Sequence, residues 1–108
     1  MLLCYRHELE ATGAKGVVIN DVSYLVTKQG NHVFAYINRC PHLDIELNWA
    51  PNRFMSIDRT MIQCSTHGAL FVIDSGECVA GPCLGKSLQA VDISVDDAGG
   101  IFLAQPQQ

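Results

Sequence analysis

Charge is sparse in this chain and concentrated nowhere: seven Lys and Arg stand against eleven Asp and Glu in 108 residues, a formal net charge of −4. A duplex binder needs a clustered cationic footprint, and these cations are scattered, which argues against nucleic acid as a partner. Long apolar runs are also missing, since none approaches the roughly 18 to 20 residues that span a bilayer, and no membrane association is expected. The opening residues, Met1-Leu2-Leu3-Cys4-Tyr5-Arg6-His7-Glu8, turn charged after five positions. That leaves no apolar core for a secretory signal, and the expected location is the cytoplasm. Aromatics amount to only 7%, yet 48% of the residues are hydrophobic and 17% charged, which is ordinary for a folded chain and excludes a disordered one. There is room for a single domain over 1–108 with one modest core, and none for a second catalytic domain.

The five cysteines do not form an even set, and no export signal accompanies them, so a disulfide framework is disfavoured. Two of them have histidines beside them. Cys40-Pro41-His42 and Cys64-Ser65-Thr66-His67-Gly68 each pair one thiol with one imidazole, separated by the 21 residues 43–63. A Cys₂His₂ set divided as C-x-H and C-x-x-H suits a [2Fe–2S] cluster in which one iron takes two thiolates and the other two imidazoles, the Rieske arrangement. Tetrahedral Cys₂His₂ is also a structural zinc set. Zinc fingers, however, pair cysteine with cysteine and histidine with histidine along the chain, and here the pairs are mixed. Cys4, Cys78 and Cys83 are left over and read as free thiols. His7 and His32 read as surface or strand histidines without a ligand role. A Cys40/His67 nucleophile–base pair would leave the second Cys/His pair unexplained.

Between its turn residues the chain is short-stranded, β-branched and alternating. Val17 to Ile19 and Tyr24 to Thr27 read as strands, and Lys28-Gln29-Gly30-Asn31 as a hairpin turn. The turn leads into His32 to Ile37, with Val33, Ala35 and Ile37 on one face and Phe34 and Tyr36 on the other. That strand delivers the chain to Cys40. A second hairpin, Met55 to Ile57 with Thr60 to Gln63 around Asp58-Arg59, delivers Cys64. Ala69 to Ile73 and Cys78-Val79 flank a turn at Asp74 to Glu77. A last hairpin runs from Leu88, Val91, Ile93 and Val95 through Asp96-Asp97-Ala98-Gly99-Gly100, whose glycines are expected to supply positive φ, to Ile101-Phe102-Leu103. One helical turn is expected, at Leu43 to Leu47. The fold class is all-β, a small antiparallel sandwich or barrel with two cluster-binding loops.

The ligand loops Cys40-Pro41-His42-Leu43 and Cys64-Ser65-Thr66-His67-Gly68-Ala69-Leu70-Phe71 closely resemble those of Rieske ferredoxins, and Gly76-Glu77-Cys78-Val79-Ala80-Gly81-Pro82 resembles the segment that closes over the cluster in that family. The resemblance runs from about Val17 to Leu103, while the first sixteen residues carry none. It implies a small soluble one-electron carrier, not itself an enzyme, that takes electrons from a flavin reductase and gives them to a terminal oxygenase or similar acceptor. It also implies that Cys40 and Cys64 hold the inner iron and His42 and His67 the outer one. High-potential members carry a further cysteine in each loop and two hydroxyls that hydrogen-bond to sulfur. The matching positions here are Ile45 and Thr66, and Ala69 and Phe71, so the resemblance implies a low potential. Trp49 is expected to pack beside the cluster, Pro41 to fix φ between two ligands, and Gly68 to permit close backbone approach. The rival functions are a structural zinc module and a small permanent subunit of a larger redox enzyme.

Overall fold

The computed structural model describes residues 1–10, 13–41, 47, 54–56, 60–64 and 68–104. Among them the chain forms nine strands: β1 Leu2–Tyr5, β2 Ala14–Ile19, β3 Val22–Gln29, β4 His32–Ile37, β5 Met61–Gln63, β6 Leu70–Val72, β7 Cys78–Ala80, β8 Ile93–Val95 and β9 Gly100–Leu103. They assemble into three antiparallel three-stranded sheets, ordered β2-β3-β4, β1-β9-β8 and β5-β6-β7. A short 3₁₀ helix, Arg6–Leu9, is the one helical element among the described residues. No helix there is long and apolar enough to cross a membrane.

The β2-β3-β4 sheet is the longest because its turns are local and its alternation is regular. Ile19 pairs with Val22 across Asn20 and Asp21, whose φ values of 51° and 67° give the two-residue loop that matches strand twist; Asn and Asp tolerate that region best among residues with a Cβ. Gln29 pairs with His32 across Gly30 and Asn31. The register then sets Tyr24 opposite Ile37, Leu25 opposite Tyr36 and Val26 opposite Ala35. Successive residues on a strand point to opposite faces, so the sheet serves two cores. Tyr24, Val26, Ala35 and Ile37 pack with Leu3, Cys4, Leu9, Val91, Ile101 and Leu103. Leu25 and Tyr36 pack instead with Leu47, Phe54, Ile62, Phe71, Ile73, Leu88 and the cysteines 40, 64, 78 and 83. The two faces expected for β4 are therefore the two faces observed.

The first sixteen residues help to close the first of these cores. β1 pairs with β9, the Arg6 N–H donates to the Gly99 carbonyl at 2.8 Å, and Leu9 is fully buried. The last turn differs in detail from expectation. Gly99 adopts a positive φ of 86°, but Gly100 does not. Gly100 is needed for space, since a Cβ there would lie 2.9 Å from Phe102 Cε1. Asp96 Oδ1 organises the turn by accepting from the N–H groups of Ala98 and Gly100, at 3.1 and 2.6 Å.

The third sheet is short. Before β5, Phe54 to Ser56 contribute one bridge, Met55 to Ile62, with backbone bonds from Gln63 N–H to the Phe54 carbonyl and from Ser56 N–H to the Met61 carbonyl. Asp58 and Arg59, expected in that turn, lie outside the described residues, as do residues 43–46 of the expected helical turn. After β7 the chain runs along the edge of β4, where Ile37 N–H donates to the Gln89 carbonyl and Val91 N–H to the Ala35 carbonyl. That run leads from the sulfur-bearing core back to β8.

Candidate metal centre

Cys40 stands three residues beyond the end of β4, and Cys64 immediately follows β5. Both thiols are fully buried and both belong to the core on the Leu25 and Tyr36 face. All five cysteines are free. The structure thus brings together the two sulfur ligands expected from the sequence, each at a strand end, in surroundings that exclude water. His42, His67, Ile45, Thr66 and Trp49 lie outside the described residues. Among the described residues no three His, Cys, Asp or Glu side chains converge for a metal ion, and the two candidate histidines are not among them. His7 is exposed and stacks on Tyr5 with ring centroids 5.7 Å apart, and His32 is exposed at the start of β4. Neither belongs to the sulfur-bearing core.

Specific contacts hold the ends of each loop. For the second, Cys64 N–H donates to the Ala69 carbonyl and Gly68 N–H to the Cys64 carbonyl, both at 2.9 Å. Gly68 has φ +67°, and among the described residues its Cβ position meets Gln63 Nε2 at 3.9 Å. The left-handed backbone is the feature that requires glycine here among the described residues. For the first, the anchor is a residue that sequence reasoning missed. Asn38 is only 5% exposed, its N–H and Nδ2 donate to the Ser23 carbonyl and Oγ, and its Oδ1 accepts from the Leu47 N–H at 2.9 Å. One buried amide thus ties both sides of the 40–47 segment to β3. A polar residue wedged between an apolar strand and a cysteine loop was the available signal, because buried amides are kept only where they are bonded.

The segment after β7 reaches both loops. Gly81 has φ +95°, and a Cβ there would sit 2.8 Å from Ala69 Cα, so its backbone lies directly on the end of the second loop, where the Gly81-Pro82 closure was expected. Two residues on, Cys83 is fully buried with its Sγ 3.8 Å from Cys40 Sγ. Burial foremost, then its neighbours Cys40 and Cys78, push the Cys83 thiol up to about 12. The Cys78 thiol donates to the Ala80 carbonyl at 3.1 Å. Ala69 and Phe71 are both fully buried and bring no hydroxyl. The Tyr36 hydroxyl in the same core is committed to the Ile73 carbonyl at 2.6 Å, and burial raises its pKa to about 12.

Two buried cysteines free of disulfides, each just beyond a strand end in one apolar core, are donors an iron–sulfur group requires, and the chemistry of this donor set fits it. The Rieske [2Fe-2S] domain family matches residues 1–96, which includes the first sixteen positions. No curated protein matches the sequence. Among solved structures, the ferredoxin of carbazole 1,9a-dioxygenase from Nocardioides aromaticivorans IC177 has a TM-score of 0.76 at 22% identity, covering 98% of this chain and 97% of that one. The ferredoxin of Sphingomonas yanoikuyae B1 gives 0.77 at 24% identity over 98% of both chains. A chain in a complex of reduced oxygenase and oxidised ferredoxin of carbazole 1,9a-dioxygenase gives 0.74 at 17% identity, over 100% of this chain and 95% of that one. At these identities the likeness is one of fold. A bound [2Fe–2S] cluster supplies one-electron exchange and transforms no substrate by itself. This chain belongs to the Rieske [2Fe–2S] domain family and carries one Rieske-type [2Fe–2S] cluster.

Proposed function

We propose that Cys40, His42, Cys64 and His67 ligate the cluster, the two thiolates on the inner iron and the two imidazoles on the outer, and that the chain is a stand-alone carrier moving single electrons from a flavin reductase to a terminal oxygenase. The observation that carries this reading is the pair of fully buried thiols, Cys40 and Cys64, at two strand ends of one core, each beside a histidine in sequence. Imidazoles donate less charge than thiolates, so the electron resides on the His-ligated iron. The carrier role is supported by the near-complete mutual coverage with two ferredoxins, one named for a dioxygenase system. Cytoplasmic location belongs to the same reading and is checked by cell fractionation.

With Ala69 and Phe71 in place of hydroxyl-bearing residues, few donors reach the sulfurs, and the reduction potential should sit at the low end of the Rieske window, about −150 mV. A titrated value above zero contradicts this. His67→Cys should retain a cluster with altered spectrum and lower potential; an unchanged potential contradicts the ligand assignment. The carrier role is tested by mixing the loaded protein with a ferredoxin-dependent oxygenase and its flavin reductase. Turnover that depends on the protein is expected, and failure to be reduced by any flavin reductase while dithionite reduces it contradicts the donor.

A further inference from the structure

The contact between Cys83 and Cys40 has no counterpart in the sequence reading, since the two residues are 43 apart and Cys83 belongs to neither loop. We propose that the Cys83 thiol donates a hydrogen bond to the Cys40 sulfur and thereby sets part of the reduction potential of the cluster. This rests on Cys40 being a cluster ligand, as argued above.

The direction of the bond follows from chemistry. Either sulfur could donate across 3.8 Å while both are thiols. A ligating cysteine is a thiolate and has no proton to give, so Cys83 becomes the donor and Cys40 the acceptor. Other uses for the Cys83 proton are poor. The side chain is fully buried, out of reach of water, and its other sulfur neighbour, Cys78, is a neutral thiol that gives its own proton to the Ala80 carbonyl and accepts more weakly than a thiolate does. Geometry fixes the thiol in place: Gly81, two residues earlier, lies on Ala69 with no room for a Cβ, and the Lys86 N–H closes the turn on the Cys83 carbonyl at 2.9 Å. The segment that covers the second loop therefore also delivers a donor to the first. Ala69 and Phe71 bring no hydroxyl, and Tyr36 spends its own on Ile73, whereas Cys83 is a side-chain donor within reach of the Cys40 sulfur. A hydrogen bond to sulfur stabilises the more electron-rich reduced state, so Cys83 raises the potential above what the site would have without it.

The test is the midpoint potential of cluster-loaded wild type, Cys83→Ala and Cys83→Ser. One hydrogen bond of ordinary net strength corresponds to about a fivefold change in the reduction equilibrium. At about 59 mV per tenfold for one electron, Cys83→Ala should fall by about 40 mV. Cys83→Ser, which restores a donor, should recover most of that fall. Clusters reconstituted in D₂O should show, by electron–nuclear double resonance, one exchangeable deuteron coupling in wild type that Cys83→Ala lacks. Equal potentials in wild type and Cys83→Ala, or the same deuteron couplings in both, overturn the proposal. Should Cys83→Ala fail to hold a cluster, the serine variant decides: a deuteron coupling retained there supports the donor role, and its absence refutes it. A wild-type preparation without a Rieske signal contradicts the ligand reading itself, whereas a normal signal with equal potentials removes only Cys83.

Discussion

The two faces of the β2-β3-β4 sheet present two differently built cores. On the Tyr24 and Val26 face the packing is largely aliphatic, closed by the chain's first and last strands, and holds one cysteine, Cys4. On the Leu25 and Tyr36 face it holds four cysteines and is capped by strands of only three residues. The first core is closed by paired strands of three and four residues, β1, β9 and β8. The second relies on individual side chains and glycines: Asn38 on Leu47, Tyr36 on Ile73, Gly81 on Ala69. The difference has a physical reason. Ligand loops must leave the ladder to converge on a metal group, and each backbone group so released needs a new partner. One sheet thus divides stability and function between its sides.

The sharpest way to break this comparison is to remove one sulfur from each side. Cys64→Ala should abolish the cluster signal, while Cys4→Ala should leave it intact and cost about 1 kcal/mol of stability, a small buried group lost. The paired readouts are iron content and denaturant midpoint. Next in size is Gly81→Ala, which forces a side chain at φ +95° into Ala69 Cα, 2.8 Å away. We expect about 2–3 kcal/mol of destabilisation and faster iron loss to a chelator. Gly76→Ala makes a control on the same side, with φ +73° and Tyr36 Cε1 at 2.8 Å. It should destabilise similarly without touching a ligand loop directly.

Asn38→Ala leaves the buried Leu47 N–H without its acceptor and should cost about 1–3 kcal/mol. Chelator-driven iron loss should accelerate, because the first loop loses its tie; unchanged loss kinetics would mean that Asn38 is merely structural. The smallest effect is a pH dependence on the aliphatic side. Burial, then Glu8, raises the Cys4 pKa from 9.0 to about 11, with Lys15 opposing. A raised folded-state pKa means the folded chain keeps a proton that the unfolded chain releases. Its contribution is complete below about pH 9 and declines as pH rises toward about 11. Denaturant midpoints across that interval should fall less steeply in Cys4→Ala than in wild type.

What could be read from the sequence was local. The alternation at Val33 to Ile37, the hairpin turns and the two Cys/His pairs are patterns within a few residues, and the structure keeps the alternation and places Cys40 and Cys64 at strand ends, while His42 and His67 lie outside the described residues. What escaped was long-range. Leu2 to Tyr5 offered no alternation to mark a strand, and its partner is β9 at the other end of the chain. Asn38 serves Ser23 and Leu47, 15 and 9 residues away, and Cys83 meets Cys40 across 43. Gly68 and Gly100 were legible as glycines, but whether each was needed for φ or for space depended on neighbours that only the folded chain supplies.

The central claim is that the sulfur-bearing side exists to hold a [2Fe–2S] cluster on two cysteines and two histidines. It is tested most directly by electron paramagnetic resonance of the dithionite-reduced protein, with iron, zinc and acid-labile sulfide determined on the same sample. The account predicts two irons and two sulfides per chain and a rhombic signal of lower average g than an all-cysteine cluster gives. Stoichiometric zinc without sulfide, from an anaerobic preparation in an iron-replete host, would contradict it.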